Sequence, residues 1–127
     1  KNIPAIDIVA SGLHDSVGLY KHPNPEQMHI CEWWMDILGI HELKDRNFLQ
    51  LSSGEQRLVL VSRAFVKDPE LLILDEPLHG LDMYNRRLVK DVIEAFCMRK
   101  GKTLIMVTHY QEELPVCITH SLYIRRN

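Results

Sequence analysis

The fold class of this 127-residue chain is predicted by the stretch Leu71-Leu72-Ile73-Leu74-Asp75-Glu76-Pro77. Four aliphatic residues in a row, without polar alternation, are typical of a strand covered on both faces in a parallel sheet. The two acidic residues that follow would lie at the C-terminal edge of that sheet, where open α/β sheets bind ligands. One carboxylate could hold Mg²⁺ there, and the other could polarise a water for attack on phosphorus. Taken alone, the same residues also fit a strand that ends in a solvated acidic turn.

The sequence on either side of this stretch predicts a strand-helix-strand unit. Asp68-Pro69 is a turn signal before the first strand, and residues 103–108 form a second apolar run of strand length. Between them lies a helical stripe of apolar side chains: Leu88, Val89, Val92, Ile93 and Phe96. This order predicts a βαβ unit with parallel strands, and a last strand is expected at residues 121–124.

Upstream lies a second motif, Leu51-Ser52-Ser53-Gly54-Glu55-Gln56-Arg57. Its spacing predicts a helix that begins with a capping box, formed either by Ser52 with Glu55 or by Ser53 with Gln56. Free backbone N–H groups and serine hydroxyls at a helix N-terminus form an anion site. A plain capped helix is the alternative interpretation of this motif taken alone.

The first half of the chain predicts helices. One is expected to begin at Pro4, and a second at Asn24-Pro25, ending at Gly39. The spacing predicts that the second helix buries one set of side chains: Ile30, Trp33, Trp34, Ile37 and Leu38. For the adjacent tryptophans, either both are partly buried or one is exposed to a partner. We therefore predict a helical subdomain over residues 1–66 and an α/β unit over residues 67–127.

Taken together, the motifs resemble those of the ATP-binding-cassette (ABC) ATPases. Residues 51–56 resemble the signature loop, usually Leu-Ser-Gly-Gly-Gln, and residues 71–77 resemble the Walker B strand of that family. Gly80-Leu81-Asp82 resembles the D-loop, and Val107-Thr108-His109 resembles the strand end with the switch histidine. Cys117-Ile118-Thr119-His120 adds a similarity to the bacterial tandem cassettes associated with molybdate transport and photorepair. The resemblance implies a partial P-loop NTPase core with parallel strands and an N-terminal helical subdomain.

The resemblance also implies a role for individual residues. Asp75 would help to hold Mg²⁺, Glu76 would orient or activate the hydrolytic water, and His109 would contact the γ-phosphate of ATP. The implied ATP-binding residues are Ser52, Ser53, Gly54, Glu55 and Asp82. In the family, the signature residues act on a nucleotide held mainly by an opposing cassette, and the D-loop aspartate lines the interface between the two.

Three features depart from the family pattern. Ser53 stands where glycine is usual, and Glu55 replaces glutamine, which places a carboxylate where it would repel phosphate. No G-x-x-x-x-G-K-[S/T] phosphate loop occurs in the chain. Gly101-Lys102-Thr103 lacks the earlier glycine, so we interpret it as a coincidence. The chain alone is therefore expected to bind ATP poorly.

Composition excludes several classes of protein. A formal net charge of −2 and 46% hydrophobic residues argue against a disordered tail and a strongly basic nucleic-acid module, and no nucleic acid is predicted as a partner. No apolar run approaches the ~20 residues that span a bilayer. The three cysteines and seven histidines show no disulfide or transition-metal spacing. With Lys1 first and no signal peptide, we expect a cytoplasmic protein that begins inside a longer chain, with attachment to the inner face of the membrane left open.

The leading functional hypothesis is the C-terminal portion of an ABC ATPase that hydrolyses ATP with Mg²⁺ to energise solute transport. A second cassette, as a homodimer or in tandem, is the expected partner, and a membrane permease is a further candidate. Two alternatives stay open: a soluble ABC ATPase in regulation, repair or translation, and a catalytically silent interaction module. Genes for a permease beside this one would favour transport.

Overall fold

The computed structural model describes residues 2–13 and 23–108. In chain order its main elements are α1 (Ala5–Ala10), α2 (Pro25–Ile37), α3 (Ser53–Phe65), β1 (Leu71–Asp75), α4 (Met83–Cys97) and β2 (Thr103–Val107), with three short 3₁₀ turns at Ser11–Leu13, His41–Leu43 and Phe48–Gln50. His109 and the strand expected at residues 121–124 lie outside the described residues. In the described part, no helix is long and apolar enough to cross a membrane.

The two strands and α4 form the predicted βαβ unit. β1 and β2 pair in parallel, with Leu71 opposite Thr103 and Asp75 opposite Val107. α4 connects them and buries Val89, Ile93 and Phe96, three of the five residues of the predicted stripe. The α/β class with parallel strands is confirmed.

In the part of the chain that the structure describes, only one face of β1 is covered, so the prediction that both faces are covered is wrong there. Leu72 and Leu74 are 3% and 5% exposed, whereas Leu71 and Ile73 on the other face are 50% and 61% exposed. Helix α3 packs on β1, and the buried face of the strand, with Leu72 and Leu74, belongs to the hydrophobic core. An uninterrupted aliphatic run therefore does not distinguish a covered face from an open one.

Helix α1 packs against α3 in the first half of the chain. The N-cap of α1 is Pro4, as expected, and Ala5 and Val9 are fully buried. Beyond α1, the Arg63 Nε of α3 donates to Ser11 Oγ at 2.7 Å. Close packing requires glycine at position 12, because a β-carbon there would lie 2.3 Å from the Arg63 carbonyl oxygen.

Helix α2 begins as predicted but buries a different face. Asn24 and Gln27 form a reciprocal capping box, with Asn24 Oδ1 accepting from Gln27 N at 2.8 Å. The fully buried side chains are Cys31 and Met35, followed by Leu38 just beyond the helix. Three of the five predicted inward residues are exposed: Ile30 at 44%, Trp33 at 56% and Ile37 at 38%. The apolar stripe of α2 is wider than the surface it packs against, so only part of it is covered.

Among the described residues, one hydrophobic core joins the helical segment to the βαβ unit. The Phe65 ring at the end of α3 stacks on Trp34 with 4.9 Å between centroids and meets Phe96 of α4 edge-on at 5.7 Å. Trp34 is thus packed while Trp33 is exposed, which answers the question left open by the sequence. Burial also raises the pKa of the Cys31 thiol to about 11, so this cysteine is a neutral core residue.

Charged side chains join the turns that precede the two strands. Asp68 accepts two hydrogen bonds from Arg99, at 2.6 and 3.1 Å, and its Oδ1 lies 3.2 Å from Lys102 Nζ. The Lys102 ammonium also donates to the Pro69 carbonyl at 3.0 Å. Lys102 of the Gly-Lys-Thr triplet therefore has a structural role at the N-terminal edge of the sheet. Asp75 lies at the other, C-terminal edge.

These contacts predict a pH-dependent stability. The Arg99 guanidinium, and secondly Lys102, hold the pKa of the Asp68 carboxyl below its usual value. A depressed folded-state pKa stabilises the protein at neutral pH, and this contribution is lost as the pH falls through that value. We expect Asp68→Asn to lower the free energy of unfolding by about 1 kcal/mol at pH 7 and by nothing measurable in strong acid, as followed by urea unfolding at several pH values.

Asparagine suits this test because it tolerates the left-handed backbone of Asp68, which has φ of 49°. Asp91→Asn is the matched control, because the Asp91 carboxylate lies 3.9 Å from Arg87 and is 62% exposed. A loss at Asp68 that is independent of pH, or equal to the loss at Asp91, would contradict the role of the ion pair.

Candidate functional site

The first part of the site is the N-terminus of α3. Ser52 is its N-cap: Ser52 Oγ accepts from Glu55 N at 3.1 Å, and Ser52 N donates to Glu55 Oε1 at 2.9 Å. The capping box therefore uses Ser52 with Glu55. Gln56 has a different role, because its side-chain amide donates to the Phe48 carbonyl at 2.9 Å.

The capping box determines which groups this helix end presents. Glu55 N bonds to Ser52 Oγ, and Gln56 N bonds to the Ser52 carbonyl at 2.9 Å. Ser53 and Gly54 carry the amides of the first turn that precede these, and they are the amides an anion at this end would meet. Ser52 and Ser53 are both exposed. The Glu55 carboxylate turns back onto the Ser52 amide, so its negative charge stays beside the anion-facing groups.

The second part of the site lies at the C-terminal edge of β1. Asp75 is the last residue of the strand and is exposed, whereas the Glu76 side chain is only 19% exposed. Glu76 N donates to the Val107 carbonyl at 2.7 Å, which places Glu76 beside the end of β2. The predicted switch histidine, His109, follows Val107 by two residues but lies outside the described part of the chain.

Glu76 has a backbone conformation that the sequence did not predict. Its φ is 51°, in the left-handed region that non-glycine residues adopt at a cost of about 1–3 kcal/mol. Such strain persists where the surrounding structure enforces it, and it is common at catalytic positions. A further residue missed by sequence reasoning is His79, whose Nδ1 lies 4.0 Å from Glu76 Oε2. The sequence feature that could have identified His79 is its position three residues after Glu76.

The third part of the site is the turn that leads into α4. Asp82 is the N-cap of α4, and its Oδ1 accepts from Asn85 N at 2.8 Å. Arg86 Nε donates to the Leu81 carbonyl at 3.1 Å, which fixes the turn from the helix side. Asp82 itself is exposed.

The structure brings the first and third parts into contact. A β-carbon at Gly54 would lie 3.3 Å from the Gly80 carbonyl oxygen, so the start of α3 and the D-loop-like turn touch through backbone. Asp75 and Glu76 begin that same turn. The signature-like, Walker B-like and D-loop-like residues of the described chain thus belong to one connected region.

Comparison with known proteins identifies the family. The family model described as "ABC transporter" matches residues 6–79, more than half of the chain. The chain belongs to the ABC transporter family. The match includes the signature-like and Walker B-like segments, so the motifs read from the sequence and the family model agree.

Two curated relatives define how much of a cassette protein this chain represents. It is 44% identical over 117 residues to the ABC transporter ATP-binding protein ModF of Escherichia coli, covering 91% of this chain and 24% of ModF. It is 40% identical over 114 residues to the ABC transporter ATP-binding protein YlmA of Bacillus subtilis, covering 88% of this chain and 43% of YlmA. The chain therefore spans less than half of the length of these relatives. Other matched ABC proteins are named for zinc uptake, Fe(3+) import and xylose/arabinose import.

A solved ABC structure confirms the architecture. The bacterial ABC transporter cassette MJ0796 superposes with a TM-score of 0.75 over 87% of this chain and 48% of its own, at 20% sequence identity. The helical segment and the β1-α4-β2 unit are therefore the fold of an ABC cassette in the region that the two chains share.

Proposed function

We propose that this chain is the C-terminal part of an ABC ATPase cassette whose intact protein binds and hydrolyses ATP with Mg²⁺. The observation that carries the proposal is Glu76, a half-buried carboxylate at the C-terminal edge of β1 with φ of 51° and its amide bonded to Val107. The division at residues 66 and 67 into a helical subdomain and an α/β unit belongs to the same proposal.

Asp75 is the proposed magnesium ligand. It offers an exposed carboxylate at the sheet edge, and a hard oxygen donor of this kind fits Mg²⁺, which keeps several waters and takes few protein ligands. When bound with ATP, the ion neutralises charge that develops on the transferred phosphoryl group. Asp75 is the one residue of this chain that we propose as a ligand of the magnesium ion.

Glu76 is proposed to act on the attacking water. Its carboxylate accepts a hydrogen bond from that water and orients the oxygen toward the γ-phosphorus, because phosphoryl transfer depends mainly on positioning and charge. The bond from Glu76 N to Val107 keeps the carboxylate beside the strand end that leads to His109. His109 is proposed to contact the γ-phosphate and to sense its presence.

The start of α3 is proposed to complete a nucleotide site on a second cassette. The Ser52 hydroxyl and the amides of Ser53 and Gly54 would donate to a γ-phosphate, and the exposed Asp82 would line the interface. Glu55 would lie at the margin of this contact. The proposed partner is a second copy of the cassette or a tandem cassette, since either would present a phosphate loop to this surface.

We further propose that ATP hydrolysis energises solute transport through membrane permease subunits, with the cassette on the cytoplasmic side. Molybdate is the proposed solute on the strength of the Leu-Ser-Ser-Gly-Glu-Gln-Arg and Cys-Ile-Thr-His segments. The other matched proteins are named for different solutes, so the solute is tested separately from hydrolysis. Hydrolysis is tested with the intact protein and its Glu76→Gln variant.

The chain alone is expected to show no ATP binding by calorimetry below millimolar concentration. The reason is the missing phosphate loop, whose lysine and amide cradle supply most of the contacts to the β- and γ-phosphates. The intact protein, which is expected to bind, is the positive control, and circular dichroism checks that the chain is folded. Tight binding by the isolated chain would contradict this expectation.

A further inference from the structure

A close backbone approach in the candidate site joins the start of α3 to the turn after β1. A β-carbon at Gly54 would lie 3.3 Å from the Gly80 carbonyl oxygen and 3.9 Å from Leu81 Cδ2. From the other side, a β-carbon at Gly80 would lie 3.9 Å from Ser53 Oγ. Any side chain at position 54 would therefore push against the backbone of this turn.

The turn that receives this contact is held along its length. His79 N donates to the Glu76 carbonyl at 3.1 Å, and Leu81 N donates to the Leu78 carbonyl at 3.3 Å. The side chains of Leu78 and Leu81 are 1% and 6% exposed, so both are anchored in the core. The hydrogen bond from His79 N to the Glu76 carbonyl joins this turn to Glu76, so the ordered turn offers a backbone route from Gly80 to that residue.

We propose that Gly54 and Gly80 form a positioning contact through which the start of α3 sets the position of the Glu76 carboxylate. The inference rests on the proposed function. In a sandwich of two cassettes, residues 52–54 would face one nucleotide while Glu76 acts on the other, so the contact joins the two sites within one chain. On this proposal, position 54 requires glycine for two reasons: a side chain there would press against the D-loop-like turn of the same chain, and it would obstruct an approaching phosphate.

The test is Gly54→Ala in the intact protein without nucleotide. The added methyl displaces the Gly80 carbonyl by a few tenths of an ångström, and we expect the Leu81 amide to exchange hydrogen about tenfold faster. In the ATPase assay, kcat is expected to fall about tenfold. The exchange experiment contains no phosphate, so it separates positioning from loss of a phosphate contact.

The matched control is Gly39→Ala, because a β-carbon there meets nothing within 4 Å. This control should leave exchange at Leu81 unchanged relative to the rest of the core. Unchanged Leu81 exchange in Gly54→Ala would overturn the positioning contact, and faster exchange with unaltered kcat would overturn its link to Glu76. If Glu76→Gln retained hydrolysis, the proposed function would fail instead, whatever the exchange result.

Discussion

Replacing Glu76 with glutamine is expected to lower the kcat of ATP hydrolysis by the intact protein about 100-fold or more. Glutamine keeps the size of the side chain but removes the negative charge that, under the proposed function, would polarise the attacking water. The Glu76 side chain is only 19% exposed, so its carboxylate is held in place at the sheet edge and glutamine would occupy the same position without the charge. Steady-state phosphate release at saturating ATP and Mg²⁺ measures the effect.

Two controls make this result specific. Glu70→Gln makes the same change on an exposed residue just before β1, at the opposite end of the strand, and should leave kcat within about twofold. ATP binding by the Glu76→Gln protein should stay close to that of the original, since the proposed role concerns the transition state. Hydrolysis retained in Glu76→Gln would remove Glu76 from the mechanism.

Replacing Gly12 with alanine is expected to lower the free energy of unfolding by about 3 kcal/mol. The new methyl carbon would lie 2.3 Å from the Arg63 carbonyl oxygen and 3.0 Å from Val66 Cγ2. The carbonyl belongs to α3, whose backbone is fixed by its own hydrogen bonds, so the 3₁₀ turn must move away. Urea unfolding followed by tryptophan fluorescence reports the loss, because Trp34 stacks on Phe65 in the adjoining core.

A comparison with Gly39→Ala separates this clash from the cost of any added methyl group. Gly39 has open space around it but a φ of 73°, so alanine there should cost about 1 kcal/mol through backbone strain alone. A loss at Gly12 no larger than the loss at Gly39 would show that the turn yields easily. Ser11→Ala removes two hydrogen bonds of the Ser11 hydroxyl, one accepted from Arg63 Nε at 2.7 Å and one donated to the Ile8 carbonyl at 2.6 Å, and is expected to cost about 1 kcal/mol.

The fold class was predictable because its signals are local. The Asn24 and Ser52 capping boxes depend on residues three positions apart, and the structure contains both. The parallel pairing of β1 with β2 follows from two aliphatic runs separated by one helix. Family membership was likewise predictable from the motifs around Ser52, Asp75 and Asp82.

Burial was less predictable, because it depends on what packs against an element from elsewhere in the chain. The apolar stripe of α2 includes both tryptophans, yet only Trp34 meets Phe65, a residue far away in sequence. The aliphatic run of β1 fits two covered faces, yet α3 and the core cover only the face of Leu72 and Leu74. Hydrophobic periodicity identifies the apolar side chains without identifying their neighbours.

The sequence by itself determined the α/β class, the starts of α2 and α3, and the residue types of the candidate site. Only the tertiary structure decided that Glu76 adopts a left-handed backbone and that Gly54 touches Gly80. The physical reason is the range of the interactions. Helix caps form between neighbours in sequence, whereas a strained dihedral or a close backbone contact is imposed by segments that meet only after folding.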